Sequence, residues 1–213
     1  MKTILFSSML LLMLSACQEK PSGTQAIVSD QQEAKTPADG DHYPIDATKS
    51  WLHFTGTKPV GTHTAEIKFS EGEFILADQK ITGGQFKADL TQLKSLDQDT
   101  AYSYKLLAHL QSPDFFDIQK FPTAQFQLIS CEEKAQADGN THMVTGNLTL
   151  KDSTRSITFP AKIQFSKESF QAQAEFVIDR TLWGLHYGND KSLKDKFIYP
   201  EVKIALDLTA AKS

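Results

Sequence analysis

Two neighbouring runs decide the fold class: Ser156-Ile157-Thr158-Phe159-Pro160-Ala161-Lys162-Ile163-Gln164-Phe165 and, after the polar break Ser166-Lys167-Glu168-Ser169, Phe170-Gln171-Ala172-Gln173-Ala174-Glu175-Phe176-Val177-Ile178-Asp179. In the first, Ile157, Phe159, Ala161, Ile163 and Phe165 hold every second position; in the second, Phe170, Ala172, Ala174, Phe176 and Ile178 do. Successive side chains of a strand point to opposite faces, so a period of two means one face in a core and one in water. Polar Lys, Glu and Ser between the runs supply a turn, and the pair reads as an antiparallel hairpin.

The same alternation recurs outward from this hairpin. Val202, Ile204, Leu206 and Leu208 face away from Glu201, Lys203, Asp207 and Thr209, and shorter cases are Ile67/Phe69, Phe86/Ala88/Leu90, Phe126/Leu128 and Val144/Gly146/Leu148/Leu150. Turn residues separate them at Glu71-Gly72, Gly83-Gly84, Asp138-Gly139-Asn140 and Lys151-Asp152-Ser153. One stretch breaks the pattern. From Ala101 to Gln111, Tyr104, Leu107 and Leu110 recur at helical spacing, with Leu106 beside them, until Pro113 ends the run. About eight strands and one short helix therefore occupy residues 43–213, which suits one barrel or sandwich better than two domains. The inward positions mix Phe with Ala161, Ala172, Ala174 and Gly146. Small residues among large ones either leave a cavity or interdigitate into a solid core, and the pattern leaves both open.

The chain has 213 residues, with 22 basic and 26 acidic side chains and a net charge of -4. A mildly acidic chain lacks the basic footprint of a nucleic-acid binder. Two cysteines, Cys17 and Cys131, exclude a disulfide scaffold and a four-cysteine zinc site. The histidines show no ligand-like pairing, and no G-x-S-x-G, P-loop, H-E-x-x-H or dinucleotide glycine motif occurs. The motifs give no basis for naming a reaction, and no catalysis, cofactor or metal is expected.

Residues 1–16 read as a signal peptide: Lys2 precedes the apolar run Ile4–Leu14, too short to span a bilayer. Leu14-Ser15-Ala16-Cys17 resembles a bacterial lipobox, which implies lipidation of Cys17 and a membrane anchor at the mature N-terminus. Gln18 is not the Asp that holds many such lipoproteins at the inner membrane, so outer-membrane sorting is the default expectation. From Gln18 to His42 there is no aromatic residue and few apolar ones, and residues 17–42 read as a flexible tether.

Residues 43–210 resemble the YceI-like family of periplasmic lipid-binding proteins. The resemblance is carried by Tyr43-Pro44-Ile45-Asp46, Gly61-Thr62-His63, Ile81-Thr82-Gly83-Gly84-Gln85-Phe86, and the block His109-Leu110-Gln111-Ser112-Pro113-Asp114-Phe115-Phe116-Asp117 with Phe121-Pro122-Thr123-Ala124-Gln125-Phe126. Gly146-Asn147-Leu148, Ile157-Thr158-Phe159-Pro160-Ala161 and Asp179-Arg180-Thr181-Leu182-Trp183-Gly184-Leu185-His186-Tyr187-Gly188 continue it. It implies an all-β, antiparallel, eight-stranded lipocalin-like barrel with one short helix, enclosing an apolar tunnel for an isoprenoid-type lipid such as a quinone or a polyprenyl phosphate. One departure is the Lys151-Asp152-Ser153 turn, where relatives commonly carry Gly; Asp tolerates the left-handed conformation.

On this reading the tunnel is lined by Phe54, Phe69, Phe86, Leu107, Leu110, Phe116, Phe126, Phe159, Ile163, Phe165, Phe176 and Trp183, with His63, His109, Arg180 and Tyr187 at a polar mouth. Each polar candidate has a structural alternative. His63 and His109 fit satisfied hydrogen bonding in a fold as well as head-group contact, and an inward Arg180 needs either partners in the fold or an anionic head. Cys131 reads as a small buried hydrophobe. Two further function classes stand beside lipid binding: an envelope stress-response accessory with a packed core, and an enzyme acting on a lipid head group.

Overall fold

The computed structural model describes residues 20–34, 39–97, 100–166 and 168–212. The expected signal peptide at 1–16 and the lipidation site Cys17 lie outside the described residues. The strands are β1 (Ile27–Asp30), β2 (Asp41–Pro44), β3 (Trp51–Lys58), β4 (Gly61–Ala77), β5 (Lys80–Ser95), β6 (Thr123–Glu133), β7 (His142–Leu150), β8 (Ser153–Phe165), β9 (Ser169–Asp179) and β10 (Glu201–Ala211); the helix α1 (Thr100–Gln111) joins β5 to β6.

Strands β3 to β10 pair antiparallel in chain order, and β10 returns to β3, from Asp207 opposite Trp51 to Val202 opposite Gly56. The result is a closed eight-strand up-and-down barrel, as expected. Closure removes the open edges of the sheet and turns one face of every strand inward. The inward face is the one that the alternation marks: Phe159, Ala161 and Ile163 of β8 and Phe170, Ala172, Ala174, Phe176 and Ile178 of β9 are all buried.

Sequential antiparallel pairing also sorts the connections between two ends. The β3–β4 turn, α1 and its flanks, the β7–β8 turn and the long β9–β10 loop share one end, termed here the helix end. The β4–β5, β6–β7 and β8–β9 connections share the far end. At the β7–β8 turn the left-handed residue is Lys151 (φ 55°), not the expected Asp152.

Within residues 17–42, the described stretches 20–34 and 39–42 are not the uniform coil expected. β1 pairs with β8 from Ile27 opposite Thr158 to Asp30 opposite Arg155, and the segment before it bonds β9: the Ala26 N–H donates to Val177 O and the Val177 N–H to Thr24 O, each at 2.9 Å. β8 and β9 pair directly only over Lys162–Phe165 and Phe170–Gln173. Towards the helix end they diverge, and the N-terminal segment fills the gap between them. Backbone hydrogen bonds explain why a polar stretch docks: an unpaired strand edge accepts any chain that offers N–H and C=O groups, whatever its side chains. Polar side chains add register. Gln32 bonds Asn147 through its backbone N–H (3.0 Å) and C=O (2.8 Å), and its side-chain amide donates to Ser156 Oγ at 3.0 Å. Asn147 and Ser156 are both buried, so these bonds satisfy groups that water cannot reach.

Candidate functional site: an apolar chamber open towards the helix end

Inside the barrel is a cavity of about 240 Å³. A single water needs roughly 10–15 Å³ of such space, so this is a chamber and not a packing defect. Ala161, Ala172 and Ala174 line it, which resolves in favour of a cavity the question their small side chains raise. Gly146 does not contribute: a Cβ there would lie 2.2 Å from the Phe126 ring, so the missing side chain admits Phe126 rather than a ligand.

The far end is shut by aromatic rings. Phe170, 2% exposed, packs against Phe74 (centroids 4.7 Å), Phe165 (5.4 Å) and Tyr43 (5.7 Å), with β2 laid across β4 to deliver Tyr43. Deeper in, Phe159 stacks on Phe176 at 4.1 Å. The walls at this depth are aliphatic or aromatic, with Cys131 among them, apart from Gln173, whose amide donates to Asp207 at 2.7 Å. Burial pushes the Cys131 thiol up to about 12, so it behaves as an inert apolar group.

Polar groups gather at the helix end. Lys58, from the last position of β3, His63 of β4, His109 of α1 and Arg180 after β9 all face the chamber, and no Asp or Glu does. They are not equivalent. His63 Nδ1 donates to Asp97 (2.8 Å), leaving Nε2 to accept from the Tyr102 hydroxyl (3.1 Å), so both ring nitrogens are engaged. Arg180 is buried and spends its donors on backbone carbonyls: Tyr199 (3.3 Å), Tyr187 (2.8 Å), Ile198 (3.1 Å) and Leu185. It thereby gathers the β9–β10 loop around itself. Burial lowers the affinity of Arg180 for its proton, nearby Asp179 opposes that, and no carboxylate lies within ion-pair distance among the described residues.

His109 differs from both. Its Nε2 is buried with no hydrogen-bond partner among the described residues, while its ring packs on Tyr187 (4.3 Å) and Phe115 (6.1 Å). Burial holds its imidazole below the ordinary range; Asp114 opposes this and Lys58 adds to it. A neutral imidazole nitrogen with nothing to bond is a cost of about 1–3 kcal/mol that an incoming polar atom removes. Lys58 is half-buried and has no ion pair among the described residues. The chamber is thus an apolar pocket with one vacant hydrogen-bonding nitrogen and an uncompensated ammonium group at its mouth.

A YceI-like domain model matches residues 43–210. The chain belongs to the YceI-like family. Among curated relatives it is 31% identical over 93 residues to a UPF0312 protein of Pseudomonas aeruginosa, covering 44% of each chain. It is 38% identical over 114 residues to one from Enterobacter, covering 54% of this chain and 50% of that one. These matches span about half the length of those relatives or less. Two solved structures share the fold: Burkholderia cenocepacia BcnA, with a TM-score of 0.63 and 22% identity over 78% of this chain and 99% of that one, and a polyisoprenoid-binding domain from Saccharophagus degradans, with 0.62 and 16% over 80% and 98%.

Within this YceI-like barrel, nine of the twelve expected tunnel residues line the chamber. Three do not. Leu107 turns aside and its neighbour Leu106 takes the place, because an error of one residue on a helix moves a side chain by about 100°. Phe165 sits at the rim of the far-end plug, 46% exposed. Trp183 is buried behind the wall, where its indole N–H donates to Leu148 O at 2.9 Å. Of the polar candidates, Tyr187 does not reach the chamber and instead supports the His109 ring. Lys58 was not among the expected residues. It follows the alternating run Leu52, Phe54, Gly56, and extending that period by one step would have found it.

Proposed function

We propose that the chamber binds the chain of a hydrophobic, isoprenoid-type lipid without turning it over, in the envelope of a bacterium to which Cys17 anchors the protein. The observation that carries this is the chamber itself: walls that are aliphatic and aromatic apart from Gln173, whose amide is bonded to Asp207, with aromatic rings across the far end and charged and imidazole groups at the helix end. A lipid requires that layout, with a dry sleeve for its tail and a few hydrogen-bonding groups for its head. That the fold neighbour from Saccharophagus degradans is a polyisoprenoid-binding domain supports the isoprenoid class. The head lies beside His109 Nε2 and Lys58. Quinone oxygen and polyprenyl phosphate both suit a vacant nitrogen, and the unpaired ammonium favours the phosphate.

Native mass spectrometry of protein purified from membranes tests the reading. A mass increment that is removed by organic extraction and identified as a prenyl lipid is expected. Protein that is apo in every preparation, and that takes up no polyprenyl phosphate when offered it, overturns the proposal.

A further inference from the structure

We propose that the helix end of the barrel is a membrane-docking face, held against the bilayer that anchors the protein, so that the chamber mouth opens directly onto lipid. The inference adds an orientation to the lipid-binding reading. It stands on three separate observations.

The first is where exposed apolar side chains fall. Among the described residues, the large exposed ones gather at one end: Val60 in the β3–β4 turn, Leu96 after β5, Tyr104 on α1, Leu182 after β9, and Tyr187 and Leu193 in the β9–β10 loop. Tyr104 is 76% exposed and Val60 67%. At the far end only Phe165 is comparable, and Ile27 lies on the flank. Scattered exposed hydrophobes need no explanation, but a ring of them around the mouth of an apolar chamber does. Tyrosines mixed with Leu and Val match the composition of side chains that settle at a bilayer interface.

Charge is the second. Lys105 on α1 and Lys191, Lys194 and Lys196 in the β9–β10 loop are exposed and form no ion pair among the described residues. Within the loop the three lysines outnumber Asp190 and Asp195; elsewhere at this end Asp97, Asp114, Asp117 and Asp152 offset Lys58, Lys120 and Lys151, so the basic excess is local to the loop and α1. Basic side chains between apolar ones favour an anionic lipid surface.

The third is where the N-terminal segment leaves the fold. Because the segment around Thr24–Asp30 is bonded into the gap between β8 and β9, the anchor does not hang on a long coil. Lys20 reaches Glu201 (3.6 Å), the first residue of β10, which is paired with Asp179, the last of β9. That point is on the flank at the helix end. Cys17 is three residues further back, a distance of at most about 11 Å along the chain. A lipid on Cys17 therefore pulls the helix end, and not the far end, towards the membrane.

The test uses the full chain recovered from membranes and reconstituted into vesicles of phosphatidylethanolamine and phosphatidylglycerol. A photo-cross-linking residue is introduced as Tyr104→p-benzoylphenylalanine, Leu193→p-benzoylphenylalanine or, at the far end, Asp138→p-benzoylphenylalanine. Phospholipid adducts at 104 and 193 are expected to exceed those at 138 by roughly tenfold, since the far end lies a strand length, about 30 Å, away. Equal or reversed yields, adducts at 104 and 193 with protein alone, or an intact mass without acyl chains on Cys17 each overturn the proposal. Two helix-end positions guard against one variant failing to fold. Scoring extractable lipid on the same samples separates the two readings: cavity lipid without adducts defeats the orientation, and adducts without cavity lipid defeat the lipid chamber.

Discussion

The two ends of the barrel solve opposite problems with the same eight strands. At the far end no connection carries a helix, and Phe74, Phe165, Phe170 and Tyr43 interlock over the chamber floor. At the helix end two of the four connections are long, the one from β5 to β6 carrying a helix, and the polar groups include a nitrogen buried without a partner among the described residues. A barrel needs a solid floor for stability, whereas unsatisfied groups and exposed apolar side chains are costs that persist where a ligand or a surface offsets them. The contrast puts the packed aromatic floor at one end and the unsatisfied polar groups at the other.

The largest expected effect breaks the floor. Phe170→Ala removes the ring at the centre of the plug and should cost ~3–5 kcal/mol, read as a lowered urea midpoint. A loss below about 1 kcal/mol would show that the far end is not the stabilising one. Next comes the seam between β8 and β9. Ala26→Pro deletes the N–H that bonds Val177 O and should free the N-terminal segment. Amide exchange at Val177 is expected to accelerate by roughly tenfold or more, while β4 and β5 keep their protection.

Ala174→Phe fills the chamber from its wall and is expected to reduce bound lipid by roughly tenfold, equivalent to ~1.4 kcal/mol of affinity, with the fold retained by circular dichroism. Full lipid occupancy in that variant would place the ligand elsewhere. A smaller effect concerns pH. Burial depresses His109, and His142 likewise, so the unfolded chain takes up protons that the folded protein refuses. Stability should therefore fall as pH drops below ~6.5, the ordinary imidazole value. His109→Gln is expected to shrink the loss of urea midpoint between about pH 7 and pH 5, and an unchanged loss would assign the effect to His142 alone. The smallest is chemical: Cys131, with its thiol raised to about 12, should resist iodoacetamide at neutral pH in the folded state and react once unfolded.

Much of this was legible because strands write their burial into the sequence at a period of two. Phe159, Ala161, Ile163, Ala172, Ala174 and Phe176 could be assigned to one inner face before any pairing was known, and all six line the chamber. The helix was legible too, within one residue of its start at Thr100. What alternation assigns is a face, not a depth along the barrel. Phe165 and Phe170 obey the same pattern as Phe159, yet they belong to the plug, and Trp183 lies beyond the strand where the pattern has stopped.

Composition misjudged the segment before residue 43 for a related reason. It measures what side chains can bury, and β1 is held chiefly by backbone bonds to an edge that exists only after β8 and β9 have parted. Local sequence thus determined an antiparallel all-β fold with one helix and an inner face of mixed large and small residues, since those follow from periodicity and side-chain volume; the barrel and its tunnel were implied by the resemblance to the YceI-like family. Tertiary structure alone decided that Arg180 is consumed by carbonyls, that His63 is engaged while His109 Nε2 has no partner among the described residues, and that Lys20 meets Glu201 at the start of β10. Each of those depends on which distant segments meet, and no local pattern records that.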